Sequence, residues 1–141
     1  MFVHETKFRI RYSETDRMGY VYYGNYAQYF EVGRVEAIRS LGLDYRKMED
    51  EMGVMMPVKS INIKYLRPVF YDELITVKTT VSSLPERNIN FHAEVYNQEG
   101  LLATGATVVL AFIDIATKKT VEAPAMLLEK LKDYFKENHD S

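Results

Sequence analysis

The sequence predicts an α+β fold in which an antiparallel sheet carries one long helix on a face. Three observations lead there: a period-two segment at the N-terminus, a helical segment over residues 24 to 42, and four strand-like stretches between residues 55 and 115. At 141 residues the chain has the size of one domain, and a single domain spanning 1–141 is expected. About two-thirds of the unfolded surface of such a domain is buried on folding, enough for a core without staples.

Phe2 to Tyr12 alternates, with Phe8, Ile10 and Tyr12 on one side and Lys7, Arg9 and Arg11 on the other, as in a half-buried strand. The polar stretch Ser13 to Gly19 reads as a turn. Gly24 or Asn25 then caps the long helix, since an asparagine side chain satisfies free amides well. Tyr26, Phe30, Ala37, Ile38 and Leu41 share one helical face, while Glu31, Arg34 and Glu36 fall elsewhere. Gly33 interrupts this helix at a cost of about 1 kcal/mol relative to alanine, and close approach of the helix backbone to a sheet would compensate. Gly42 is a stop signal.

Asp44 to Gly53 reads as a short second helix. Strands follow over Met55 to Arg67, Glu73 to Leu84, Asn88 to Asn97 and Leu101 to Ile115. The third shows clean alternation of Ile89, Phe91, Ala93 and Val95 against Asn90, His92, Glu94 and Tyr96. Asn97 to Gly100 is a hairpin turn, and Pro68 ends a strand or sits at an edge. The tail from Pro124 to His139 has the apolar stripe of an amphipathic helix, with proline in its first turn.

Composition removes several chemistries. Cysteine is absent, so thiol nucleophiles, disulfides and cysteine–metal sites are excluded. Eighteen basic and 20 acidic residues leave a net charge of −2, with no overall basic field for nucleic acid. His4, His92 and His139 lack metal-ligand spacing, and no metal is expected. There is no hydrophobic signal core, and the longest apolar run, Val108 to Ile113, is too short to span a membrane. A cytoplasmic protein is the expectation.

The segment YSETDRMGYVYYGNYAQYFEVGR, Tyr12 to Arg34, carries the candidate chemistry. Asp16 stands just before the expected helix start, where free amides bear partial positive charge. A thioester carbonyl resting on those amides would have its oxygen polarised, with Asp16 opposite as nucleophile or as base for water. An aspartate between strand and helix is also an ordinary turn residue that bonds nearby amides, and pattern alone favours that reading. Glu31 is a second carboxylate on the helix, with an i,i+3 pair to Arg34 as its simpler explanation. Tyrosines 20, 22, 23, 26 and 29 suit an acyl pocket, a core or an interface equally well. Among Lys64, Arg67, Arg87, Lys118 and Lys119, each available to phosphates, most are ordinary surface cations.

The same segment resembles the signature of the 4-hydroxybenzoyl-CoA thioesterase family of hotdog proteins. The shared residues are Tyr12, Thr15-Asp16, Gly19, Val21-Tyr22, Gly24-Asn25-Tyr26, Glu31 and Arg34, then Tyr65-Leu66-Arg67-Pro68, Tyr71-Asp72-Glu73-Leu74 and Asn97 to Gly105. The resemblance implies a hotdog fold, a five-stranded antiparallel sheet wrapped around a long central helix. It implies hydrolysis of an acyl-CoA thioester without a cofactor, coenzyme A being part of the substrate. By position, Asp16 matches the catalytic carboxylate and Tyr23 the residue whose backbone amide polarises the carbonyl. Arg87 falls near a position that meets the coenzyme A phosphates. A homodimer, through sheet-to-sheet pairing, or a homotetramer is also implied, with the sites at subunit interfaces. Two positions depart from the pattern. Glu14 stands where many members have aspartate, and Tyr23 where the similar thioesterases encoded with the Tol-Pal envelope system have histidine. The alternatives are an acyl-ACP thioesterase and a non-catalytic acyl-thioester-binding hotdog protein. Dehydration is disfavoured because no histidine lies between Asp16 and Tyr26.

Overall fold

A computed structural model describes residues 1–135. Strand β1 (Phe2–Arg9) leads through a 3-10 turn (Tyr12–Glu14) and an irregular loop into a second 3-10 turn (Tyr23–Asn25), which runs directly into α1 (Tyr26–Ser40). Then come α2 (Tyr45–Met52), β2 (Val54–Met55), β3 (Val58–Tyr65), β4 (Leu74–Val81), β5 (Asn88–Tyr96), β6 (Leu102–Ala111), β7 (Ile113–Asp114) and α3 (Ala125–Leu131). The five longer strands form one antiparallel sheet in the order β1-β4-β5-β6-β3, and β2 pairs with β7.

The period-two pattern becomes burial: Ile75, Val77 and Val81 on β4 and Ile89, Phe91, Ala93 and Val95 on β5 are all buried toward α1. On β6 the alternation slips because Ala103 is a bulged extra residue opposite the Val95–Tyr96 step, so Ala103 and Thr104 are both buried. Strand β3 is different. It forms one margin of the sheet and is exposed along almost its whole length, leaving Val58, Ile61 and Tyr65 accessible.

Gly33 seats the long helix on the sheet. A Cβ at this position would lie 2.7 Å from both the Val77 Cγ1 and Thr79 Oγ1 atoms of β4. Gly33→Ala is therefore expected to lower stability by roughly 1–3 kcal/mol, the cost of overpacking, despite alanine's better helix propensity. Urea denaturation reads this as a lower midpoint at unchanged slope. Gly42, at φ +86°, ends the helix as its residue type predicts. Asp44 caps α2 by accepting from the Lys47 amide at 2.6 Å, and Gly53 closes it at φ +65°. In the β5–β6 hairpin Asn97 Oδ1 accepts from the amides of Glu99 and Leu101.

Several expectations are corrected. Strand β1 stops at Arg9, and Tyr12, at 77% exposure, belongs to the following turn rather than to a buried strand face. The stretch from Met55 divides at Pro57, which has no amide for a ladder, and the last one divides at Phe112. Asn25 precedes α1 but does not cap it through its side chain. Arg34 is 7% exposed, on the buried face beside Tyr45, and forms no ion pair with Glu31 among the described residues. Burial pushes the Tyr45 phenol up to about 12, against the opposing pull of the Arg34 cation. Pro124 sits at the N-cap of α3 rather than in its first turn, and the helix gives way to a 3-10 turn at Lys132–Tyr134. The part of the expected tail helix from residue 136 to His139 lies outside the described residues. No helix among the described residues is long and apolar enough to cross a membrane.

Candidate active site

The site is built by the chain reversal between β1 and α1. Asp16 closes its own loop: Oδ1 accepts from the Met18 amide at 2.9 Å and from the Tyr20 amide at 3.2 Å. The backbone repeats the closure, with Asp16 N donating to the Tyr20 carbonyl and Gly19 N to the Asp16 carbonyl. Gly19, at φ +82°, supplies the left-handed residue this tight reversal needs. The loop is tied to the segment after Pro68 by the Val21 amide on the Val69 carbonyl (2.9 Å) and the Tyr71 amide on the Gly19 carbonyl (3.2 Å). The rings of Tyr20 and Phe70 meet edge to face across the same junction.

Directly after this loop, Tyr23–Asn25 winds into the 3-10 turn that opens α1. The amides of Tyr23 and Gly24 precede any carbonyl their own helix can offer. Among the described residues they have no acceptor. Tyr23 and Asp16 both border one cavity of about 600 Å³, whose walls include Tyr22, Tyr26, Tyr65 and Arg67. Among the residues expected from sequence, Asp16 and Tyr23 are thus brought together. Arg87 is not in that cavity within one chain. Its guanidinium donates to the Thr120 carbonyl at 3.0 Å, and it borders a separate hollow with Ser83 and Glu86. Glu31 is exposed on α1 and does not line the Asp16 cavity.

The tyrosines divide by environment. Tyr26 is 3% exposed, and burial raises its phenol, only partly offset by the Thr104 hydroxyl and the Val69 backbone. Tyr22 is exposed at the cavity rim, and its hydrogen bond with the Tyr23 hydroxyl raises its phenol above the ordinary value. Tyr65 donates toward the Tyr23 carbonyl at 3.4 Å, so β3 reaches the helix start. Both Tyr26 and Tyr22 stay protonated at neutral pH, and the wall they form is aromatic and uncharged.

Two residues have surroundings that sequence reasoning did not anticipate. Arg67 lines the cavity with no acceptor for its guanidinium among the described residues; it sat unranked among five basic residues because only tertiary folding brings the end of β3 to α1. Glu14 is 6% exposed, and its carboxylate takes donors from Arg11 and Tyr29. Burial acts to raise its pKa but is outweighed by the Arg11 amide, the Tyr29 hydroxyl and the Arg11 guanidinium, so the net shift is downward. The sequence marked it only as a departure from the family pattern, where many members have aspartate, with no sign of burial. Among the described residues no cluster of histidine and carboxylate side chains is able to hold a metal ion.

A five-stranded antiparallel sheet around a long helix, with the Asp16 loop and the helix start bordering one cavity, is the arrangement of a hotdog domain. The family model of the Thioesterase-like superfamily matches residues 10–131, and the chain belongs to that family. It is 36% identical over 122 residues to YneP of Bacillus subtilis, covering 86% of this chain and 88% of the relative. It is 31% identical over 116 residues to the acyl-CoA thioesterase YbgC of Haemophilus influenzae, covering 82% and 85%. The DHNA-CoA thioesterase of Staphylococcus aureus superposes with a TM-score of 0.81 at 36% identity, over 96% of this chain and 85% of that one. A 4-hydroxybenzoyl CoA thioesterase mutant solved with 4-hydroxybenzoyl CoA shares the fold, with a TM-score of 0.83 at 20% identity over 92% and 99% of the two chains.

Proposed function

We propose that this chain hydrolyses an acyl-CoA thioester to a free acid and coenzyme A. The observation that carries the reading is that Asp16 and Tyr23, whose amide at the start of α1 is unpaired among the described residues, border the same cavity. Family membership and the names of the relatives support it.

In this reading the thioester carbonyl lies on the Tyr23 amide, which stabilises the negative charge developing on oxygen as the carbon becomes tetrahedral. Asp16 attacks from the other side. As base it takes a proton from water, and the resulting hydroxide adds to the carbonyl carbon. As nucleophile it forms a mixed anhydride that water then opens. In either course the C–S bond breaks, the sulfur leaves as thiolate and takes up a proton, and one water is consumed. Asp16 Oδ2 has no hydrogen-bond partner among the described residues, so one oxygen is available while Oδ1 holds the loop. The aromatic wall suits the apolar acyl portion, and no cofactor takes part. Arg87, away from the cavity within one chain, is retained as a coenzyme A phosphate contact only as part of this proposal. The exposed β3 margin is its pairing surface for a homodimer, or for a homotetramer built from dimers, and its location is cytoplasmic.

The two amide bonds made by Asp16 Oδ1 favour a second reading, a hotdog protein that binds acyl thioesters without cleaving them. A thiol-release assay over a panel of acyl-CoAs, with matched acyl-ACP substrates alongside, decides. Release from acyl-CoA is expected. Binding without release on every member sinks the hydrolase reading, and release from acyl-ACP alone replaces the carrier.

A further inference from the structure

Glu14 is a buried carboxylate that touches neither Asp16 nor the cavity around it, yet its bonds converge on the start of α1. Oε1 accepts from the Arg11 amide and from the Tyr29 hydroxyl, each at 2.9 Å. Oε2 accepts from Arg11 Nε at 3.0 Å and lies 2.9 Å from Nη2. The main-chain carbonyl of the same residue accepts from the Tyr22 amide at 3.0 Å and from Asn25 Nδ2 at 2.9 Å. A carboxylate withdrawn from water is costly unless its oxygens are bonded, and here both are.

Asn25 and Tyr29 are four residues apart, one turn of the helix, and so lie on one face. Glu14 therefore grips α1 at two levels, by its carbonyl at the entrance and by its side chain one turn further in. The first grip is what uses up the Asn25 amide group as a donor, in place of the cap its residue type suggests. Tyr23 and Gly24 lie between the Tyr22 and Asn25 contacts. Helix ends fray unless held, and a fraying first turn would swing the Tyr23 amide away from any ligand.

We propose that Glu14 is a positioning residue, which through its bonds to Tyr22, Asn25 and Tyr29 sets the direction of the Tyr23 amide for the reaction. The proposal rests on the hydrolase reading. Asn25→Ala and Tyr29→Phe each delete one grip while leaving Asp16 and the Tyr23 amide chemically intact. Each is expected to lower kcat by on the order of tenfold to a hundredfold, as small misplacements of a reacting group do. KM is expected to change little, because the lost interaction is one made in the transition state. Hydrogen exchange at the Tyr22 amide is expected to quicken in both. A merely structural role would lower the melting temperature and leave kcat per folded molecule, measured after circular dichroism confirms the fold, unchanged. Undiminished kcat in both folded variants, or unaltered exchange at Tyr22, overturns the positioning role while wild-type turnover leaves the hydrolase reading standing. Failure of the wild type to release thiol from any acyl-CoA sinks both.

Discussion

Asp16→Asn is expected to fold as the wild type does and to lose at least about a hundredfold in kcat, the lower range for a missing acid–base group. The substitution separates the two roles open to this residue. Both turn bonds are accepted by Oδ1, an oxygen that asparagine keeps, so the loop has no reason to open. What disappears is the charge, and with it the capacity to attack carbon or take a proton from water. If Asp16 were only a turn residue, the asparagine variant would turn over normally. Steady-state thiol release, with circular dichroism as the control for folding, reads the difference. Wild-type kcat in a folded Asp16→Asn protein would end the assignment of Asp16, whatever the substrate.

The second large effect is expected from Tyr23→Pro, with a fall in kcat of about a hundredfold to a thousandfold, the range for a lost oxyanion donor. Proline deletes the one N–H in question. Its ring suits the first position of a helix, where the amide has no partner within the helix in any case. Tyr22 has φ −62° and ψ 131°, the extended geometry that a residue before proline prefers, so the backbone accommodates the change. Tyr23→Phe is the companion: it keeps the amide and removes only the hydroxyl, and should turn over within a few-fold of wild type. A Tyr23→Pro enzyme with unimpaired kcat would move the oxyanion role to another donor. A large loss in Tyr23→Phe would move it from the backbone to the side chain.

Local rules account for much of what the sequence disclosed. Gly33 was interpretable because a glycine inside a helix needs a compensation, and the approach of Val77 and Thr79 is that compensation. The alternation of β5 and the Asn97–Gly100 hairpin follow from period and turn chemistry in the same way. Asp16 drew notice by its place before the helix start, where pattern alone favoured a turn residue, and Tyr23 was named only through the family resemblance. The rest depends on distant partners. Arg34 looked like a solvent-facing charge because its burial is decided by α2, which follows in the chain and brings Tyr45 over it. Asn25 has the composition of a cap, yet the carbonyl it finds belongs to a residue 11 positions earlier. Strand β3 was legible as a strand, but its exposure reflects its place at the margin of the sheet. Glu14 carries no local sign of burial, since the Arg11 and Tyr29 donors that make it tolerable gather only on folding.

The stretch from Tyr65 to Tyr71 does two jobs at once. Its first half, through Pro68, walls the cavity, and its second half holds the Asp16 loop by the Val69 carbonyl, the Phe70 ring and the Tyr71 amide. On the proposed reading, selectivity and turnover are therefore mechanically linked. A replacement at Leu66 or Arg67 that widens the chamber for a bulkier acyl group also tugs on the clasp that aims the carboxylate.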